Sequence, residues 1–88
     1  MTKTRVSTIH DARYVRLVQT LTEHRMRHNI SQLTLASKLG ISQPDVSKVE
    51  RFVRRMDVLE FFDWVSALAA LSKIDPKEVL NAIFFDNS

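Results

Sequence analysis

The sequence predicts an all-α domain of five helices. The 88 residues include one glycine and two prolines, a supply of turn residues that favours helices joined by short connections. Apolar residues recur at i, i+3 and i+4 along most of the chain, the period of a helix face. Residues of N-cap type (Ser, Thr or Asp) stand just ahead of each such run.

Helix 1 is expected to open at Thr8, with Asp11 three residues on in the spacing of a capping box. Tyr14, Leu17, Val18 and Leu21 supply its apolar face, and Asn29, tolerant of left-handed geometry, is its stop. Ser31 caps a short second helix, Gln32 to Leu39, which Gly40 ends. Ser42 caps a third helix, Gln43 to about Arg51, with Asp45 at the capping-box position. Pro44 lies in its first turn, where a missing N–H costs little. Asp57 with Glu60 opens helix 4 over residues 58–71, whose Leu59, Phe62, Val65, Leu68 and Ala69 are expected to form one apolar stripe. In helix 5, over residues 76–84, Asp75 is the N-cap, Pro76 the first helical residue and Glu78 the third. With no internal repeat and no low-complexity linker, residues 1–88 read as a single domain.

The single glycine marks the most specific pattern. Between residues 32 and 51, Leu35, Ala36 and Leu39 face one way on the first helix. Ile41 lies in the turn, and Val46 and Val49 face back from the next helix. Two short helices joined by three residues bring their inner faces nearly into contact, which suits a small Ala36 at the crossing. The first of them must end abruptly in a left-handed residue, and Gly40 is that residue. The unit reads as a helix-turn-helix.

Charge is distributed unevenly. Residues 1–55 carry eleven Lys and Arg against four acids, a net of +7, and residues 56–88 carry two against six, a net of −4. A basic first part is the footprint expected of a surface that meets a polyanion. The absence of cysteine excludes disulfides, a thiolate nucleophile and Cys-based zinc. MTKTRVSTIH has no apolar h-region and no apolar run is long enough to span a bilayer, so a cytoplasmic location without a membrane partner is expected.

The stretch "NISQLTLASKLGISQPDVSKVE", together with "RRMDVLEF" downstream, resembles the phage Cro/repressor-type (XRE family) helix-turn-helix regulators. The likeness covers about Tyr14 to Leu80. It implies a lambda-repressor-like five-helix fold with a central helix-turn-helix, which binds double-stranded operator DNA, usually as a homodimer. Two departures are visible. Many relatives have Gly after the recognition helix where this chain has Phe52, implying a longer helix exit. "ALAALSKIDP" runs about one helical turn beyond the usual connection between helices 4 and 5.

With Gln43 to Arg51 as the recognition helix, its outward N-terminal residues Gln43, Pro44, Ser47 and Lys48 are the candidates for base edges. Gln43 suits the N6/N7 edge of adenine, Lys48 suits guanine, and Pro44 offers apolar contact to a thymine methyl. Asp45 is better read as a cap for its own helix than as a base reader, since phosphates repel it. Ser42 is both cap and phosphate donor. Gln32 matches a position where relatives meet the phosphate backbone, beside a helix N-terminus that favours an anion. Arg51, Arg54 and Arg55 complete the phosphate candidates. Arg25 and Glu50 resemble a structural ion pair of the family and, with Ala36 and Gly40, are assigned to the scaffold.

Other functions find less in the sequence. His24 and His28 have a zinc-compatible spacing but no convincing third ligand, so no metal or other cofactor is expected. A phosphate-cradling Gly loop, a Gly-flanked nucleophile and a paired-carboxylate motif are all missing, which argues against an enzyme. The alternative is a protein-interaction module, such as the antitoxin half of a toxin–antitoxin pair, with a toxin or co-regulator as partner. Val79, Leu80, Ile83, Phe84 and Phe85 give the chain end more apolar surface than one short helix buries, enough for a homodimer seam or a partner site.

Overall fold

The structure is a computed structural model, and it describes residues 8–85. Lys3 and Arg5, counted in the basic first part, lie outside them. Five α-helices follow a short 3-10 turn at Thr8–His10: α1 (Ala12–Arg27), α2 (Gln32–Leu39), α3 (Gln43–Glu50), α4 (Val58–Ser72) and α5 (Pro76–Phe84). The described residues contain no strand, and no helix among them is long and apolar enough to cross a membrane. The fold is all-α, as the sequence predicts.

Each helix start is set by a side chain that accepts a backbone N–H otherwise left without a partner. Ser31 serves Thr34, Ser42 serves Asp45, and Asp75 serves Lys77 ahead of Pro76. Asp57 and Glu60 close a complete capping box at α4, each side chain accepting from the other's backbone. One expectation fails: Thr8 does not cap α1. Asp11 does, accepting from the Arg13 N–H at 2.8 Å, while Thr8 begins the separate 3-10 turn. Asp11 is extended at φ −63°, ψ 132°, and its carboxylate is the better partner for a helix N-terminus than a hydroxyl. The Arg13 guanidinium doubles back on it and holds that carboxyl down at about 2.

The helix ends share one device. Asn29, Gly40, Phe52 and Lys73 are left-handed, with φ of 58°, 74°, 63° and 61°. After each comes an apolar residue whose N–H reaches back five residues to a carbonyl in the last turn of the helix: Ile30 to Arg25, Ile41 to Ala36, Val53 to Lys48 and Ile74 to Ala69, at 2.9–3.1 Å. These are Schellman closures, which satisfy carbonyls the helix cannot. A Cβ at Gly40 would meet nothing within 4 Å, so glycine is needed there for its backbone angle and not for space. Phe52 takes the same conformation without being glycine, so α3 stops at Glu50 and the longer exit expected from Phe52 does not occur. The long "ALAALSKIDP" stretch extends α4 itself to Ser72, leaving only Lys73, Ile74 and Asp75 before α5.

The core lies where α1, α2, α3, α4 and α5 converge. Leu21, Leu35, Leu68, Val18, Val46, Val49 and Val79 are its fully enclosed side chains. Leu35, Ala36, Val46 and Val49 seal α2 against α3, as expected of the unit 32–51. The stripe expected on α4 holds at Val65, Leu68 and Ala69, which are buried, and fails over the first turns. Leu59 and Phe62 are 68% and 59% exposed, and the buried face runs through Phe61, Trp64, Val65 and Leu68. Both series obey i, i+3, i+4 spacing on a helix that is apolar at most positions, and packing against α2 and α5 selects the one carrying Trp64. His24 is buried between α1 and the end of α4. The Ser72 hydroxyl donates to the Leu68 carbonyl at 2.6 Å and therefore accepts from the His24 Nε2–H at 3.0 Å. Burial, with His28 and Arg27 nearby, lowers the His24 pKa and favours the neutral ring.

Lys73 is the exposed left-handed stop, so replacing it relieves backbone strain at little cost in packing. Lys73→Gly is expected to stabilise the fold by about 0.5–1 kcal/mol and to raise the melting temperature; a lower melting temperature would show that the left-handed stop carries no strain.

Candidate nucleic-acid interface

The eight residues of α3 are fixed by their inner side. With Val46 and Val49 fully buried, the helix turns Pro44, Lys48 and Arg51 to solvent and leaves Gln43, Asp45 and Ser47 half-buried. Gln43, Pro44, Ser47, Lys48 and Arg51 recur at the spacing of one helix face. The four sequence candidates for base contact thus form one strip with Arg51 at its far end. The Arg51 Nε–H donates to the Ser47 hydroxyl at 3.0 Å and shapes that end of the strip.

A chain of polar contacts runs under the strip. The Arg25 Nε–H and Nη2–H donate to the two Glu50 oxygens at 2.6 and 2.9 Å, and its Nη1–H donates to the Ile30 carbonyl at 2.8 Å. The two side chains are only 11% and 7% exposed, so this is a buried ion pair with a fork-to-fork fit. The Gln32 Nε2–H donates to Glu50 Oε1 at 2.8 Å, and the Gln43 Nε2–H donates to Gln32 Oε1 at 2.7 Å.

The direction of these bonds follows from the carboxylate. Glu50 can only accept, so Gln32 must turn its amide nitrogen toward it. The Gln32 oxygen then faces Gln43, which must answer with a nitrogen. Among the described residues, Gln43 is left with its Oε1 and one N–H uncommitted, an acceptor and a donor side by side. The resemblance paired Arg25 with Glu50 and left Gln32 and Gln43 separate; the structure joins all four into one unit linking α1, α2 and both ends of α3.

The phosphate candidates do not behave as one set. Ser42 is exposed at the α3 N-terminus, and its oxygen already accepts the Asp45 N–H at 3.2 Å. Gln32 is half-buried and its side chain is committed to the chain of contacts. Arg51 and Arg55 are exposed. Arg54 is half-buried, its Nη2 on Glu60 Oε2, in the loop between α3 and α4. That loop is also held by Tyr14, whose hydroxyl accepts the Met56 N–H at 2.8 Å. Sequence reasoning placed Tyr14 only on an apolar face and Glu60 only in a cap; partners 42 and 6 residues away leave no local signal.

Away from this face, Asp11, Arg13, Tyr14, Arg16, Leu17, Ile83 and Phe84 line an open groove of about 490 Å³ between α1 and α5. Phe84 and Phe85 beside it are 63% and 70% exposed. Among the described residues no group of three His, Cys, Asp or Glu side chains is placed to hold a metal ion. No family model matches the chain, and no match was found among curated proteins.

Removing one partner of a buried ion pair strands the other charge, at about 3–5 kcal/mol. Glu50→Ala is expected to lower stability by that order and to free the Gln32 amide; an unchanged melting temperature would remove Glu50 from the scaffold.

Proposed function

We propose that the chain is a sequence-specific DNA-binding transcriptional regulator, acting in the cytoplasm as a homodimer that lays α3 in the major groove of a near-palindromic operator. The observation that carries this reading is the chain Arg25–Glu50–Gln32–Gln43. It orients a half-buried glutamine at the leading end of an exposed helix face and leaves free one acceptor and one donor. That pair is what the N6 and N7 edge of adenine requires. Lys48, exposed one turn further on, has the point charge that suits guanine O6 and N7. Pro44 and Ser47 lie between them as close-packing neighbours of the bases. The α3 helix of eight residues is about 12 Å long, short enough to enter the groove by its N-terminus while its other end stays with the protein.

Around this strip, Arg51 and Arg55 are exposed cations, Ser42 is a hydroxyl at the α3 N-terminus, and Gln32 opens α2, where backbone N–H groups attract an anion. These are the phosphate contacts. Repression is the favoured outcome, because a dimer covering a promoter blocks polymerase without an activating surface. The exposed Phe84 and Phe85 beside the α1–α5 groove support a homodimer seam there. The same apolar surface also favours a second reading, an antitoxin-type module that seats a protein partner.

Gln43→Ala and Lys48→Ala are each expected to relax base preference at one or two positions, by ~1–3 kcal/mol per contact. Arg51→Ala and Arg55→Ala are expected to weaken binding to all sequences alike and to reduce the salt slope by about 0.9 each. Competition titrations against single-base variants, repeated across salt, separate these outcomes. Uniform weakening by the Gln43 and Lys48 variants would overturn their base-reading role.

A further inference from the structure

Arg54 does not present itself as a phosphate ligand would. Its Nη2 donates to Glu60, and its Nη1 is buried with no hydrogen-bond partner among the described residues, so the guanidinium is turned toward the protein although the side chain is 35% exposed. Asp57 is joined to the same Glu60 through the α4 capping box, and it and Asp45 favour the Arg54 charge after Glu60. These acids come from three places: the first turn of α3, the N-cap of α4 and the third residue of α4. At least two are not dispensable. Asp57 accepts the Glu60 N–H and Glu60 accepts the Asp57 N–H to start α4, while Asp45 sits at a helix N-terminus that favours an anion.

The fold therefore concentrates negative charge at the edge of the face assigned to DNA. An uncompensated acidic trio there would oppose every phosphate nearby. Arg54 is the cation among them, and its backbone N–H donates to the Lys48 carbonyl at 3.2 Å, tying it to the end of α3.

We propose that Arg54 is the counter-ion that makes the acidic starts of α3 and α4 compatible with a polyanion, and that it positions this edge without touching DNA itself. The inference rests on the DNA-binding reading. It sets Arg54 apart within the basic cluster: Arg54 neutralises the protein's own carboxylates.

A double-mutant cycle tests it on the full chain with a duplex and a salt series. Arg54→Met is expected to weaken binding by about fivefold at low salt, and by less as salt screens the uncompensated carboxylates. Adding Glu60→Gln, which keeps the capping acceptor, is expected to bring affinity back to within about twofold of wild type. Glu60→Gln alone should leave the slope unchanged, which keeps the test available if Arg54→Met does not fold. If the double variant stays as weak as Arg54→Met and the slope drops by about 0.9, Arg54 is a phosphate ligand and the inference is overturned. A slope steeper by about 0.9 in Glu60→Gln alone overturns it as well. Wild-type protein that binds no duplex at all would overturn the DNA reading and this inference together.

Discussion

A carboxylate held out of water must be answered by donors, and Glu50 is where this fold meets that requirement. Left alone, its charge would be among the most costly features of the interior. Arg25 brings the end of α1 to it, and the same guanidinium takes the Ile30 carbonyl just after the helix stop at Asn29. Gln32 brings the start of α2, and through Gln32 the start of α3 is tied to its own end. The apolar contacts of Val46 and Val49 decide which side of α3 faces inward. The polar chain settles rotation and tilt more finely, because hydrogen bonds are directional and burial is not. The orientation of one half-buried amide, Gln43, thus follows from a pair on the far side of the helix. The base-reading proposal rests on that dependence.

The second constraint is how to stop helices with almost no glycine. α1, α2, α3 and α4 all close through a left-handed residue followed by an apolar one, yet only Gly40 takes that geometry with no Cβ to strain it. In the other three, Asn29 uses its local tolerance, Phe52 gains packing against the core, and Lys73 has neither advantage. The three-residue turn between α2 and α3 has the chain's one glycine, whereas the equally short turn between α4 and α5 uses Lys73. Ile30, Ile41 and Ile74 follow their stops as buried or half-buried anchors, so these three closures are also core contacts, while Val53 after Phe52 is exposed.

Much of this was legible in the sequence, for reasons that differ from residue to residue. Caps and stops are local: Ser31, Ser42, Asp57, Asp75, Asn29 and Gly40 act on groups within a few positions and read correctly. Thr8 misled because Asp11, its presumed box partner, is a stronger cap and displaced it. On α4, Val65, Leu68 and Ala69 read correctly, but the first turns were not legible, since they are apolar on most sides. Only the neighbours decide between Phe62 outside and Trp64 inside. Phe52 could not be read as a left-handed residue from its type. The joining of Gln32 to Glu50, of Gln43 to Gln32 and of Arg54 to Glu60 depends on how helices are placed against one another, a consequence of packing rather than of spacing.

The most direct test of the account is selection of bound sites from random duplex DNA by the purified chain, with its mass in solution recorded alongside. The account predicts a near-palindromic site, half-sites about one helical turn apart, and a dimer. Enrichment of no sequence, with only weak, salt-sensitive binding, would contradict it and shift the exposed Phe84 and Phe85 surface to the service of a protein partner.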